Sequence, residues 1–472
     1  MSVGSTSEAV EAAALNESLT RYHWEPQPQA ERWLHELVDE FLRRLPAAKA
    51  FAERLYVESG NRLVDLIDTI WLTPSDPRLA SAPKAGWADA GTSGGYRVLR
   101  NAHGIFPPIA VCDGSVGDGI CIDLKVESVA DFVSTHELQV EISSSHYAPS
   151  RWAPVHEVKG RAQLGVRERH GYNGFEDAPA GPALADVYAT LEAFQTRRRD
   201  FPTDDEGFDH GEALIDAAIA RVGRDVACDL WFRAEREYWQ RKNRAAQYQH
   251  ARQQKLGIGW ANHDHHTYRN SRRNFYRLVR LWEKLGFECR ERFSPGIEAG
   301  WGAQVMEQPV CGIVTFNDVD ISPAELLGDF AHRPLEEWTK LHTVGLWCAL
   351  HGDSFLQAGM HHLECTFDFD ALRDQIQTEA GIKVMKPFTD YPYLRQAFTE
   401  GERWKCRPER IERTLKAGLI TKEQADQFVR DGAIGSHLEN LERNQGFKGF
   451  NQQGVTEIIA ATDPRKQAAL AR

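Results

Sequence analysis

The sequence lacks any run close to the ~18 uninterrupted apolar residues of a membrane-crossing helix, which excludes an integral helical membrane protein. It also lacks a CxxC pair. Its eight cysteines are scattered from Cys112 to Cys406, which argues against a zinc ribbon or a thioredoxin-like motif. They read as reduced, mostly buried thiols of a cytoplasmic protein. The opening residues, MSVGSTSEAVEAAALNESL, have neither a basic start nor an apolar core. A flexible tail over 1–30 is expected there, not a signal peptide. Basic residues are outnumbered, with 56 Lys plus Arg against 68 Asp plus Glu and a net charge of −12. Such a chain lacks the global field that draws in nucleic acid or anionic lipid, and neither is expected as a partner.

What is present is the balance of a soluble globular protein, 42% hydrophobic and 26% charged over 472 residues. That length suits two to four domains. Hydrophobic spacing predicts a helix over 31–57, strands at 63–71, 96–99, 105–111, 122–126 and 138–142, and a loop over 73–95. A long helix is predicted from Val226 to Lys255. Its basic excess reads as a solvated face rather than a nucleic-acid surface. The expected organisation is a domain over 31–178, a helical linker over 179–258 and a second domain over 259–463. A helical insertion at 387–433 interrupts that second domain, and a tail over 464–472 follows.

Two repeats organise the chain. In the C-terminal part, strand–helix–Gly–strand units start at Asn262–Arg269 and at Met360–Thr366. Ser271 is expected to cap the first helix, with Asp368 or Asp370 capping the second. A larger repeat relates Glu168-Arg-His-Gly-Tyr-Asn-Gly-Phe175 to Glu442-Arg-Asn-Gln-Gly-Phe-Lys-Gly-Phe450, and Ile122-Asp-Leu-Lys-Val126 to the Met360 segment. The N-terminal third therefore reads as a diverged copy. At the position of His265 it offers Leu66 or Ile67, and at the position of Glu439 it offers Gly165.

The densest polar constellation is Asn262-His-Asp-His-His-Thr-Tyr-Arg269. Strand alternation puts His263, His265, Thr267 and Arg269 on one face, with Asp264 and His266 on the other. An imidazole and a guanidinium facing one cavity suit a metal beside an anionic ligand, because Arg pairs with carboxylates through a rigid fork. A rival role for Arg269 is a salt bridge to Glu307 or Glu364. His361-His362-Leu-Glu364 opens the second unit, and Ser436-His-Leu-Glu-Asn-Leu-Glu-Arg443 looks like its last strand. One His from each unit plus Glu439 or Glu442 would make a two-His, one-carboxylate triad. That set is the usual home of non-haem Fe(II), and it also accepts Mn(II), Zn(II) or Ni(II).

At this point the pattern resembles a known family. Asp264-His-His-Thr-Tyr-Arg269 resembles the Asp-His-x-x-x-Arg strand of the 2-oxoadipate dioxygenase/decarboxylase family. Leu285-Gly-Phe-Glu-Cys-Arg-Glu-Arg-Phe293 resembles the next strand of that family, and residues 301–309 and 312–319 resemble the segments after it. Ser436–Arg443, Gly449–Asn451 and Glu457–Thr462 resemble its closing strand and tail. The resemblance covers residues 260–463. It implies an α+β fold of the vicinal-oxygen-chelate type, built from paired βαβββ units, here duplicated. It also implies Fe(II) held by His265, His362 and Glu439, with Arg269 binding a substrate carboxylate. The N-terminal copy would keep the fold without the metal. Two departures stand out. The second unit lacks the Asn and Thr of the Asn-His-x-Thr pattern, and the long N-terminal part is not typical of the family.

The activity so implied is Fe(II)-dependent oxidative decarboxylation and hydroxylation of a 2-oxoadipate-like 2-oxo acid, with O2 as co-substrate. Two alternatives are a metal-dependent isomerase or lyase of the same superfamily and a non-catalytic small-molecule-binding protein. Self-association into a homo-oligomer is left open.

Overall fold

Alternating apolar positions build two sheets in the computed structural model, which describes residues 24–112, 119–175, 180–296, 299–451 and 463–465. The first sheet contains β1 (Ile67–Leu72), β2 (Ala88–Ser93), β3 (Tyr96–Arg100), β4 (Ile109–Val111), β5 (Ile120–Lys125), β6 (Ser150–Val158) and β7 (Ala162–Arg169), in the order β2-β3-β4-β1-β5-β7-β6. The second contains β8 (His263–Arg269), β9 (Glu288–Phe293), β10 (Trp301–Gln308), β11 (Ile313–Asp320), β12 (His362–Thr366), β13 (Thr389–Tyr391), β14 (Leu394–Phe398), β15 (Glu402–Trp404) and β16 (Ala433–Arg443). Its order is β13-β14-β16-β12-β8-β11-β10-β9, and β15 pairs with β16.

This connectivity is two βαβββ modules side by side. In the first, β8 leads through the helix Phe275–Lys284 to β9, β10 and β11, and β11 returns parallel to β8. In the second, β12 leads through the helix Phe369–Ala380 to β13, β14 and β16, and β16 lies parallel to β12. The modules join where β8 and β12 pair antiparallel. The fold is thus α+β of the vicinal-oxygen-chelate type, and the N-terminal sheet repeats it. There β4 lies parallel to β1, β7 lies parallel to β5, and β1 and β5 pair antiparallel. Its second module is one strand short, because Leu138–Ile142, predicted as a strand, forms no strand.

Equivalent side chains do equivalent work in the two copies. Glu168 at the end of β7 accepts the backbone N–H of Val129, the first residue of the helix Val129–Thr135, at 2.8 Å. Glu442 at the end of β16 does the same for Phe369, also at 2.8 Å. Each carboxylate satisfies an orphan N–H at a helix start, where negative charge is favoured. Asp368, rather than Asp370, supplies the second N-cap side chain. Next along the chain, Arg169 grips Asp68 with two hydrogen bonds, at 2.7 and 2.9 Å. Arg443 grips Asp264 in the same way, at 2.8 and 3.0 Å.

Helices cover the sheets. Pro28–Arg44 and Pro46–Ser59 pack on the N-terminal sheet through Leu34, Leu37, Phe41 and Leu55. The single helix predicted over 31–57 is broken because Pro46 forces Leu45 out of helical geometry. Four helices span residues 184–254, and Trp231, Phe232, Trp239 and Ala234 enter the core beneath the second sheet. Burying a large apolar side chain such as Phe232 contributes about 1.5–3 kcal/mol. The long helix predicted over Val226–Lys255 is two helices, Arg224–Gln240 and Arg244–Gln254. Asn243 breaks it, its Oδ1 accepting the Ala246 N–H as an N-cap while its amide donates to Ser436 at 2.7 Å. The region 387–433 differs from a purely helical insertion. Its first part holds β13, β14 and β15, and only Pro408–Lys416 and Lys422–Asp431 are helical. The predicted loop 73–95 holds the exposed strand β2. Among the described residues, no helix is long and apolar enough to cross a membrane. The expectations for residues 1–23, 457–462 and 466–472 fall outside the described residues.

The Arg169–Asp68 pair is mostly buried, so removing one partner strands a charge. Arg169→Ala should destabilise the protein by about 3 kcal/mol in urea denaturation, with no loss of any metal bound by the C-terminal sheet.

Candidate metal centre

The β8–β12 pairing sets the site. His265 lies opposite Glu364, and Thr267 lies opposite His362. The parallel partner β16 puts Glu439 beside Glu364. Side chains on alternate positions share a face, so His265, His362, Glu364 and Glu439 meet in one cavity of about 50 Å³. The same cavity is lined by Thr267, Arg269, Asp318 and Gln396 and walled by Phe293, Trp301, Phe316, Phe388, Phe398 and Phe450.

His362 Nε2 lies 3.3 Å from Glu439 Oε2 and 3.4 Å from Glu364 Oε1. His265 Nε2 touches Glu364 Oε2. Ligand-bearing atoms of His362, Glu364 and Glu439 all fall within 4.8 Å of one another. Gln396 donates to Glu439 Oε1 at 2.9 Å and orients that carboxylate. Of the two glutamates that the sequence left open, Glu439 faces the cavity, while Glu442 caps the helix at Phe369.

His263 departs from the predicted alternation. The β8–β12 register slips at Asp264, so Cys365 faces His263 and Asp264 is the bulged residue. His263 leaves the cavity face, and its ring stands 5.2 Å from that of His266. The bulge also lets Asp264 reach its own neighbour. Asp264 Oδ1 lies 2.7 Å from His265 Nδ1. Burial opposes the charge on Asp264, but the Arg443 guanidinium and the His265 hydrogen bond hold its carboxyl well below the usual range. With Asp264 ionised, Nδ1 carries the proton and Nε2 offers its lone pair to the cavity, the arrangement that makes a histidine a good ligand.

Burial pushes the His265 imidazole down to about 4 and holds His362 well below its ordinary value. Both are therefore neutral near pH 7, as metal ligation requires. Burial pushes Glu439 up to about 7, and burial plus the neighbouring Glu439 raises Glu364. Two carboxyls packed this closely retain a proton in the metal-free protein, and a bound cation would take that proton's place. His362 Nδ1, Thr267 Oγ1, Glu364 Oε2 and Glu439 Oε2 are buried without a hydrogen bond. The donor set fits a divalent transition metal.

Arg269 is buried on the cavity wall. Its Nε donates to Asp318 Oδ2 at 3.3 Å, so its carboxylate partner is Asp318 rather than Glu307 or Glu364. Glu307 pairs instead with Arg290 and Lys448. Burial pushes Asp318 up to about 7 despite Arg269, and Asp318 Oδ1 has no hydrogen bond.

The N-terminal sheet shows what the same frame does without ligands. Its register makes Thr69, Cys121, Asp123 and Gly165 the counterparts of His265, His362, Glu364 and Glu439. Gly165 is the predicted counterpart of Glu439. Leu66 or Ile67 was expected at the position of His265, but the pairing of Thr69 with Asp123, as His265 pairs with Glu364, makes Thr69 the counterpart. Asp123 is neutralised locally by Trp152 Nε1 at 2.7 Å, Trp71 Nε1 at 2.9 Å and the Arg167 guanidinium at 2.8 Å. A Cβ on Gly165 would collide with the Trp152 indole, which fills the space of a glutamate.

Sequence reasoning missed three contributors, namely Glu364, Asp264 as the partner of His265, and Gln396. The period-2 spacing of His362 and Glu364 was signal enough for the first. The bulge that redirects Asp264 left no mark in the sequence.

No protein-family model matches this chain, and no curated protein matches it in sequence. Solved structures similar to it include a protein assigned to the glyoxalase superfamily from Ralstonia eutropha JMP134, at 10% identity and TM-score 0.32, covering 56% of this chain and 96% of that one. Another is a variant of 4-hydroxymandelate synthase from Streptomyces coelicolor, at 12% identity and TM-score 0.25, covering 87% and 99%. A third is methylmalonyl-CoA epimerase from Mycobacterium tuberculosis, at 12% identity and TM-score 0.23, covering 39% and 88%. These scores are too low to carry an argument, and the assignment to the vicinal-oxygen-chelate type rests on the strand connectivity above.

His265→Ala and His362→Ala should each abolish tight binding of one divalent ion, read by metal analysis after dialysis. Asp264→Asn should keep the ion but weaken it by about 10–100-fold. Retention of wild-type metal content in both alanine variants would move the centre elsewhere. The pH dependence has a definite sign. The folded-state pKa of Glu439 is raised above its unfolded value, so the metal-free protein holds an extra proton and loses stability as pH rises through about 7. Metal binding needs that proton released, so affinity should climb over the same window, as titration at pH 6 and pH 8 would show.

Proposed function

We propose that this protein is a divalent-metal enzyme of the vicinal-oxygen-chelate type, and specifically an Fe(II)-dependent oxygenase acting on a short 2-oxo acid. One observation carries the reading: His265, His362 and Glu439 share a buried, aromatic-walled cavity with the guanidinium of Arg269. Those three side chains would hold the ion, and bound Fe(II) would supply the electrons for O2 activation.

The remaining roles belong to the chain. Arg269 binds a substrate carboxylate by exchanging its contact with Asp318 for a two-pronged one. Asp318, whose pKa is already raised, takes up a proton as its cationic partner turns away. Gln396 fixes the Glu439 carboxylate, and Asp264 fixes the His265 ring. The phenylalanine walls exclude water and admit O2 readily. A cavity of about 50 Å³ takes an ion and the oxygen-bearing end of a substrate, which favours a slender 2-oxo acid.

Glu364 favours a second reading. Its carboxyl, with a raised pKa and in contact with His265, could hold a substrate proton. That is the part played by the base in a metal-assisted isomerase or lyase.

Oxygen uptake by the Fe(II)-loaded protein, measured against a panel of 2-oxo acids, separates the two readings. The oxygenase consumes O2 in step with CO2 release. Deuterium incorporation from solvent without O2 consumption would establish the isomerase or lyase instead. Arg269→Lys keeps the charge and loses the fork. It should raise KM about tenfold or more, leaving metal content and Tm near wild type. Unchanged kinetics with a clear fall in Tm would make Arg269 structural.

A further inference from the structure

The metal-free N-terminal half grips the turn that follows β16. Arg62 donates to Asn444 Oδ1 at 2.6 Å and to the carbonyl of Arg443 at 2.8 Å. The Arg62 guanidinium is itself held by Asp65 through two hydrogen bonds, at 2.7 and 2.8 Å. Backbone bonds run from the Gln27 N–H to the Gln445 carbonyl at 2.7 Å and from the Ile105 N–H to the Gly446 carbonyl at 2.8 Å. The Gln445 N–H donates to Glu31 Oε1 at 2.5 Å. Every donor or acceptor on the far side of these bonds lies in residues 27–105, outside the catalytic sheet.

That turn leads directly to the metal centre. Arg443 sends its guanidinium to Asp264, and Asp264 orients His265. Arg443 also donates to the carbonyls of Phe447 and Gly449, at 3.1 and 2.8 Å. This fixes Phe450, whose ring stands edge-on to the His265 imidazole at 4.8 Å. A continuous chain of polar contacts thus runs Asp65–Arg62–turn–Arg443–Asp264–His265. The second sheet also holds this turn, through the Asn444 N–H to the Tyr393 carbonyl at 3.0 Å and the Asn444 amide to the Pro392 carbonyl at 3.1 Å, and the mostly buried Arg62 adds the grip on the Arg443 carbonyl.

We infer that Arg62 is a positioning residue for the metal centre, and that the N-terminal copy works as a clamp setting the orientation of His265. The inference rests on the metal-centre reading above. It assigns the degenerate copy a task that its own lost ligands do not perform, one that acts through the 443–450 turn rather than through any bound group.

Co(II) alone is a suitable probe, because its visible spectrum reports ligand geometry and its titration gives affinity. Arg62→Ala should weaken Co(II) binding about tenfold and alter the spectrum. Arg62→Lys, which keeps charge but not the fork, should recover part of the loss. Arg169→Ala breaks the equivalent pair within the N-terminal sheet and serves as the control. It should lower stability while leaving affinity and spectrum at wild-type values. Equal Co(II) affinity in Arg62→Ala and wild type would overturn the clamp, and so would an equal loss in Arg169→Ala. Should Arg62→Ala fail to fold, Arg62→Gln, which loses the guanidinium and keeps a long polar side chain, is judged by the same readings. A wild-type protein that binds no Co(II) would overturn the metal centre itself, and the clamp with it.

Discussion

The antiparallel pairing of β8 with β12 is the constraint on which the rest of this structure depends. It joins two βαβββ modules edge to edge and brings the first strand of each to the middle of one sheet. Two imidazoles and two carboxylates then fall on one buried face. Burial strips the imidazoles of their protons and raises the carboxylates. A cluster with those tendencies is unfavourable alone and becomes favourable around a cation. The sheet maintains it because the apolar residues on its other face, among them Leu363 and Leu438, are fully buried beneath the helices.

The duplication separates what the fold needs from what the site needs. Glu168 and Glu442 cap their helices in both halves, and Arg169–Asp68 matches Arg443–Asp264 at the same β-bulge. These interactions hold strands and helices in register whether or not a metal is bound. The four equivalent positions of the N-terminal sheet hold Thr69, Cys121, Asp123 and Gly165, and Trp152 and Arg167 satisfy the one carboxylate among them. A buried carboxylate needs a positive partner or hydrogen-bond donors. One half supplies indoles and a guanidinium, and the other has the donor set for an ion.

Coupling between the halves follows from where the chain turns. The end of β16 leaves the sheet between β14 and β12, one strand away from β8, and the N-terminal half packs against that exit. The packing touches the carbonyl of Arg443, which holds the Asp264 partner of His265, rather than His265 itself. Such contacts tune orientation and basicity without occupying the coordination sphere.

Period and turn chemistry were enough to read much of this protein from its sequence. The alternation in His265-His-Thr-Tyr-Arg269, the Gly-terminated helices and the recurrence of Glu-Arg ahead of a Gly-Phe turn gave the modules and the internal copy, while His265, His362, Glu439 and Arg269 were pointed to by the family resemblance. These signals are local, and local geometry fixes them. Tertiary structure decided the remainder. The slip at Asp264, which turns His263 away and swings a carboxylate onto His265, exists only because β12 pairs with β8 one residue out of register. The choice of Asp318 as the partner of Arg269 depends on β11 lying beside β8. Asn243 ends a helix that its neighbours would continue, because its amide meets Ser436 from a strand 193 residues away. Pairing partners and registers are properties of the packed chain, and no spacing within one segment encodes them.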